Sequence, residues 1–130
     1  AYHIGEDWDM KLVDVVRFTN AEILYGEELI DAIDVEYAYG SDLMTDVPAF
    51  ARPGSLLLTG LTNVQIMRTA QMLDIPAVVF VRGKRPQDAA IALASQVKIP
   101  VILSRLSMFE TCGILYREGL LPCSIPDREV

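Results

Sequence analysis

Two short apolar runs separated by a helical pattern form the clearest feature of the chain, within residues 55–86. The first run covers residues 56–58, and the second, residues 77–81, is rich in β-branched side chains. Between them, apolar residues recur at spacings of three to four, which predicts an amphipathic helix. This helix ends before Pro76, because the residue preceding a proline is displaced from helical geometry. The stretch therefore predicts a strand, a crossover helix and a second, parallel strand.

The same alternation continues toward the C-terminus. An alanine-rich helical pattern ends near Lys98, residues 101–103 form the next apolar run, and residues 108–118 predict a last helix capped by Gly119. Upstream, residues 11–18 predict a short helix, while residues 21–25 and 35–39 predict strands. The fold class predicted from this order is α/β. We expect a three-layer α/β/α fold whose central layer is a mainly parallel sheet built from βαβ crossovers.

The segment between the first strands and the central unit is predicted to contain a helix. Ser41 is expected to cap this helix, which runs through Phe50, and Asp42 complements the positive end of its dipole. Asp42 and Asp46 are one turn apart, so a metal site is conceivable, although a solvated helix start is the more common reason for this spacing.

The length of 130 residues predicts one domain. We expect a leader or an added arm at residues 1–9, which contain the single histidine, His3, followed by the α/β domain at residues 10–120 and a tail at residues 121–130. No apolar run approaches the roughly 18 residues of a membrane helix, and the acidic N-terminus is unlike a signal peptide. A cytoplasmic location without membrane association is therefore expected.

Charge is distributed unevenly along the chain, whose formal net charge is −7. This sign argues against nucleic-acid binding. Residues 1–50 have a net charge of −10, whereas residues 51–130 have a net charge of +3. The two halves can attract each other within one chain or between chains, or the acidic half is simply a solvated surface. Because 52% of the residues are hydrophobic, a buried interface, and hence a homodimer, is expected.

The two cysteines, Cys112 and Cys123, lack the C-x-x-C spacing of redox motifs. In a reducing compartment they are expected to be free thiols, one a small core residue and one in the tail, with a redox pair as the alternative.

From residue 10 to about 120 the chain resembles the DRTGG domain family. The resemblance is carried by four segments: VEYAYGSDLMTDV, PGSLLLTGLTN, IPAVVFVRGKRP and IPVILSRLSMFETCG. At the namesake positions this chain has Gly60-Leu61-Thr62 and Val81-Arg82-Gly83. The resemblance implies a fold like the N-terminal domain of HPr kinase/phosphorylase, often dimeric, with a regulatory or scaffolding role. Kinase activity is not implied, since the G-x-x-x-x-G-K-[ST] phosphate loop is absent from the sequence.

The loops after the predicted parallel strands are the best candidates for a ligand site, because ligands of open α/β sheets bind at the carboxyl ends of the strands. Glycines in these loops allow close backbone approach, and helix N-termini follow them. We expect the backbone N–H groups near two of the glycines to hold an anion, with basic side chains around it. The candidate anion-binding residues are Gly60, Thr62, Asn63, Arg82, Gly83, Lys84 and Arg105. The alternative is that the basic residues pair with acidic groups of a neighbouring subunit.

Candidate catalytic chemistry is sparse, since one histidine cannot build a triad within the fold and no zinc-ligand spacing occurs. The sequence predicts a non-catalytic regulatory module that self-associates and binds a small anionic metabolite or nucleotide, without a cofactor or metal. The alternatives are a ligand-free interaction or scaffolding subunit of a larger enzyme or signalling complex, and a small enzyme that uses carboxylates.

Overall fold

A computed structural model of the chain describes residues 10–124, so the predicted arm at 1–9, with His3, and residues 125–130 lie outside the described residues. The chain forms eight strands and five α-helices in these residues. A 3₁₀ helix, Ile30–Ala32, follows β2. The strands are β1 (Met10–Lys11), β2 (Glu22–Tyr25), β3 (Asp34–Val35), β4 (Tyr37–Gly40), β5 (Leu56–Thr59), β6 (Ala77–Phe80), β7 (Val101–Leu103) and β8 (Leu121–Pro122). The helices are α1 (Leu12–Thr19), α2 (Asp46–Phe50), α3 (Gln65–Met72), α4 (Asp88–Val97) and α5 (Met108–Arg117).

Six strands form the main sheet in the order β2-β7-β6-β5-β4-β8. Neighbouring pairs from β7 to β8 are parallel, and only β2 runs antiparallel, along β7. The predicted crossovers through α3 and α4 are confirmed, because β5, β6 and β7 pair in parallel. The α/β class with a mainly parallel sheet is therefore confirmed.

Helices cover both faces of the sheet, which produces two apolar cores. One core joins α1 and α5 to side chains such as Leu58, Val79 and Ile102. The other joins α2, α3 and α4 to the alternate side chains, such as Leu57 and Phe80. Because successive strand residues point to opposite faces, each central strand contributes to both cores.

Two predictions about residues 34–50 are wrong. The predicted strand at 35–39 is split, with β3 pairing with β1 in a small separate sheet and β4 joining the main sheet. The predicted helix begins at Asp46 instead of after Ser41. The Ser41 hydroxyl accepts the Leu43 N–H in a local turn. A later start also places Pro48 in the first helical turn, where a missing N–H costs nothing.

The sheet also extends past residue 120, where the tail was expected to begin. Leu121–Pro122 pair with β4 as the edge strand β8, and Cys123 is buried. Cys112 and Cys123 are both free thiols, as predicted. Across residues 10–124, the structure has no helix that combines the length and apolar character needed to cross a membrane.

Replacing Leu57 with alanine is expected to lower the free energy of unfolding by about 2–5 kcal/mol, because its fully buried side chain would leave a cavity. Chemical denaturation measures the change. Leu43→Ala is the matched control, since Leu43 is 60% exposed and its loss should change stability by less than about 0.5 kcal/mol. Equal effects of the two substitutions would contradict the assignment of Leu57 to the core.

Candidate functional site

Three loops meet at the carboxyl edge of the main sheet. They follow three neighbouring parallel strands and are named the β5 loop (residues 60–64), the β6 loop (residues 81–87) and the β7 loop (residues 104–107). Main-chain hydrogen bonds connect them. The N–H of Gly83 donates to the carbonyl of Ser104 at 2.9 Å, and the N–H of Gln87 donates to the carbonyl of Thr62 at 2.9 Å. The loops predicted to form the site therefore lie together.

A tight turn at the end of β6 gives Arg82 an unusual backbone conformation. Arg82 and Gly83 have φ angles of 64° and 65°, and the N–H of Lys84 donates to the carbonyl of Val81 at 3.3 Å. Positive φ at both central residues is typical of type I′ turns, in which a non-glycine residue is strained. The Arg82 N–H donates to the carbonyl of Leu106 at 2.8 Å and helps hold this conformation.

The side chain of Arg82 lies across Gly60. Its Nη2 atom donates to the carbonyl oxygen of Gly60 at 3.2 Å. A Cβ atom at position 60 would overlap the guanidinium group of Arg82. Any larger residue at position 60 would displace the end of the Arg82 side chain from this position.

A carboxylate of the chain occupies the other side of Gly60. Asp42 Oδ1 accepts the N–H of Gly60 at 2.7 Å and the hydroxyl of Thr59 at 3.1 Å. Both of these residues are buried, so the carboxylate satisfies donors that water reaches poorly. Asp42 was expected at a helix start, and no local pattern marks its contact with Gly60, which lies 18 residues further along the chain.

Several candidate site residues have structural partners within the chain. The N–H groups of Gly60 and Gly83 themselves donate to Asp42 and Ser104, so an anion held by the backbone near these glycines would need other N–H groups of the loops. Asn63 Oδ1 accepts the N–H of Gln65 near the start of α3.

Arg105 forms an ion pair at 3.1 Å with Glu22, at the start of β2. A basic edge residue therefore pairs with the acidic half of its own chain. This contact directs Arg105 toward the edge strand instead of the centre of the loops.

Three basic side chains remain at this edge. Arg82, Lys84 and Arg85 are exposed, and within residues 10–124 none of them forms an ion pair. They lie within four residues of one another on the turn after a central strand. An anion would therefore meet side-chain donors here, and a guanidinium group can bind two oxygens at once. No cluster of three or more residues able to hold a metal ion occurs in residues 10–124, including around Asp42 and Asp46.

An apolar cleft of about 260 Å³ lies beside β4, between α5 and β8. Its walls include Leu58, Leu115 and Tyr116, and it also contacts both cysteines. The sequence did not predict this cleft, because one wall is the segment interpreted as a tail.

The side chains that line the cleft carry no formal charge. Burial raises the pKa of the Cys112 thiol above its ordinary value, so this thiol is protonated near neutral pH and is a poor nucleophile. Cys123 is 6% exposed, with its sulfur 3.2 Å from the hydroxyl of Ser55.

Comparisons with known proteins show the fold. No protein-family model matches the chain, and no curated protein matches it. Among solved structures, the chain is similar to the CBS and DRTGG domains of the regulatory region of Clostridium perfringens pyrophosphatase, complexed with its activator diadenosine tetraphosphate. The TM-score is 0.68 and the sequence identity is 18%. The match covers 97% of this chain and 58% of that one, so this chain spans little more than half of that structure.

Asp42→Ala is expected to lower the free energy of unfolding by about 1–3 kcal/mol, since it leaves the Gly60 N–H and the Thr59 hydroxyl without their acceptor. Asp42→Asn keeps an acceptor oxygen and should cost less. Asp31→Ala, at an exposed aspartate, is the control and should stay within about 0.5 kcal/mol. Urea denaturation measures all three, and an unchanged midpoint for Asp42→Ala would show that the contact contributes nothing.

Proposed function

We propose that this chain is a non-catalytic regulatory module of the DRTGG type, which self-associates and binds a small anionic metabolite or nucleotide at the carboxyl edge of its sheet. One observation carries the proposal. Arg82, Lys84 and Arg85 lie together where ligands of α/β sheets bind, without ion-pair partners in residues 10–124. In a protein with a net charge of −7, such a cluster gives anions one local point of attraction.

The strained backbone of Arg82 supports the same location. Residues kept in rarely occupied backbone regions are often found at functional sites. The turn at Arg82 presents a guanidinium group already fixed at one end by the carbonyl of Gly60. A pre-positioned donor loses less entropy on binding than a mobile side chain does.

The solved structure with the same fold supports a regulatory role. That structure is the regulatory region of an enzyme, bound to a nucleotide activator that carries several phosphates. Together with the four DRTGG-like segments and their implied likeness to the N-terminal domain of HPr kinase, it favours a module that senses a phosphorylated ligand over one that catalyses a reaction.

A ligand-free interaction subunit of a larger enzyme or signalling complex is the second candidate. The internal use of the Gly60 and Gly83 N–H groups and the Arg105–Glu22 ion pair favour it, because part of the edge is then purely structural. In this case the basic cluster would contact an acidic partner protein.

A thermal-shift titration tests the first candidate with diadenosine tetraphosphate, ATP and inorganic phosphate, each against sodium chloride at equal ionic strength. Binding should raise the melting temperature, corresponding to about 2.7 kcal/mol at a hundred times the dissociation constant. Arg82→Ala combined with Lys84→Ala should remove the shift while leaving the fold intact.

The matched control is Arg17→Ala combined with Arg68→Ala, which removes the same charge from exposed helix positions. This variant should keep the ligand-induced shift of the unsubstituted chain. If none of the three anions raises the melting temperature beyond the salt control, the sensing role is excluded and the interaction subunit takes its place.

A further inference from the structure

Two side chains of opposite charge hold Gly60 from its two ends. Asp42 Oδ1 accepts the Gly60 N–H at 2.7 Å, and Arg82 Nη2 donates to the Gly60 carbonyl oxygen at 3.2 Å. The carboxylate and the guanidinium group form no ion pair with each other, and each is directed to a different end of the same residue. A negative group and a positive group are therefore kept one residue apart at the candidate site.

Asp42 belongs to the same edge of the sheet as the three loops. The N–H of Ser41 donates to the carbonyl of Leu58 at 3.0 Å, which continues the pairing of β4 with β5 up to the residue before Asp42. Asp42 thus closely follows a parallel strand, at the carboxyl edge where the β5 and β6 loops also lie. Ligands of open α/β sheets bind at this edge.

One oxygen of the Asp42 carboxylate is used within the chain and the other remains available. Oδ1 accepts both the Gly60 N–H and the Thr59 hydroxyl. Among residues 10–124, no donor contacts Oδ2 and no cation pairs with Asp42, whose side chain is exposed. The contacts of Oδ1 also restrict rotation of the carboxylate, so Oδ2 is an acceptor whose position is set before a ligand arrives.

A ligand that contacts both sides of Gly60 needs an anionic end and a hydrogen-bond donor. The oxygens of a fully ionised phosphate only accept hydrogen bonds, so the cations of the β6 loop attract them and Asp42 repels them. Asp42 Oδ2 in turn accepts only from an O–H or N–H group. Three exposed cations near one carboxylate favour a ligand with a net negative charge. Hydroxyl groups therefore fit Asp42 better than an ammonium group, which would cancel part of that charge.

We infer that Asp42 determines the specificity of this site by accepting the ribose hydroxyls of a ribonucleoside polyphosphate, whose phosphates bind the cations of the β6 loop. Such a ligand has several negative charges in its phosphate chain and neighbouring hydroxyl donors on its sugar. Acidic side chains bind ribose hydroxyls in dinucleotide-binding α/β folds, and the charge of a carboxylate strengthens these hydrogen bonds. The inference rests on the proposed function and narrows its ligand from any small anion to one with sugar hydroxyls.

The contacts of Asp42 favour a direct hydrogen bond over a metal ion shared with the phosphates. Mg²⁺ that accompanies phosphates is usually bound by one or two carboxylates of the protein. At Asp42, however, two donors already contact Oδ1, and a guanidinium group lies at the other end of Gly60. Both reduce the attraction of this carboxylate for a cation.

Isothermal titration calorimetry of the full chain in buffer with EDTA tests this role. The probes are ATP, dideoxy-ATP, which lacks both ribose hydroxyls, and tripolyphosphate, which reports the phosphate contacts alone. The unsubstituted chain should bind ATP at least about tenfold more tightly than dideoxy-ATP, because dideoxy-ATP provides no donor for Asp42 and hydrogen bonds to charged groups are the stronger ones.

Asp42→Asn separates ligand recognition from the structural contacts of this side chain. The asparagine oxygen can still accept the Gly60 N–H, whereas an uncharged NH₂ group replaces Oδ2. The dissociation constant of dideoxy-ATP divided by that of ATP should fall from about ten or more to below about three, and the affinity for tripolyphosphate should not decrease. A purely structural role of Asp42 would weaken the binding of all three probes and leave this ratio unchanged.

Asp88→Asn is the matched control. It removes the same charge from an exposed aspartate at the start of α4, directly after the β6 loop. This variant should keep the preference for ATP over dideoxy-ATP, because the charge it removes is not the acceptor of the ribose hydroxyls.

Equal affinities of the unsubstituted chain for ATP and dideoxy-ATP would overturn the inference, as would a ratio that Asp42→Asn leaves unchanged. A preference for ATP that appears only when Mg²⁺ replaces EDTA would also overturn it, in favour of a metal ion at Asp42. Tripolyphosphate keeps the two proposals distinguishable. If it binds, and Arg82→Ala combined with Lys84→Ala abolishes that binding, the anion site stands even when the hydroxyl preference fails. If none of the three probes binds, both proposals fall.

Discussion

Complete burial of the central strands organises the structure. None of the eight residues of β5 and β6 is more than 1% exposed, so apolar side chains on both faces must be covered. Only crossover helices on the two sides of the sheet can do this for parallel strands. Parallel pairing in turn brings the ends of β5, β6 and β7 to one edge, which is where the three loops meet.

The meeting of these loops uses most of their backbone donors. The N–H groups of Gly60, Gly83 and Gln87 donate to acceptors on neighbouring segments, which for the buried Gly60 satisfies a donor that water cannot reach. Binding capacity at this edge therefore remains mainly in side chains that extend into solvent, above all those of Arg82 and Lys84. The arrangement differs from a phosphate-binding loop, in which free N–H groups form the cradle.

The segment that contains Gly40 and Asp42 contacts both helix α5 and the β5 loop. A Cβ at Gly40 would lie 3.2 Å from the sulfur of Met108 and 3.3 Å from the sulfur of Cys112, so β4 packs closely under α5. Two residues later, Asp42 binds Gly60, whose carbonyl accepts the guanidinium group of Arg82. The sheet-facing side of α5 and the β5 loop are thus linked through the segment that follows β4.

The sequence by itself determined the βαβ order, the buried strands and the edge at which candidate residues gather, because these follow from local periodicity and from the geometry of parallel pairing. Tertiary structure alone decided the rest. Asp42 lies far along the chain from Gly60, so its contact has no local signature. The segment at Leu121 became a strand only because β4 offered an open edge to pair with. The 87% exposure of Phe109 on α5 was also decided by tertiary structure, because the packed sheet determines which face of the helix is covered.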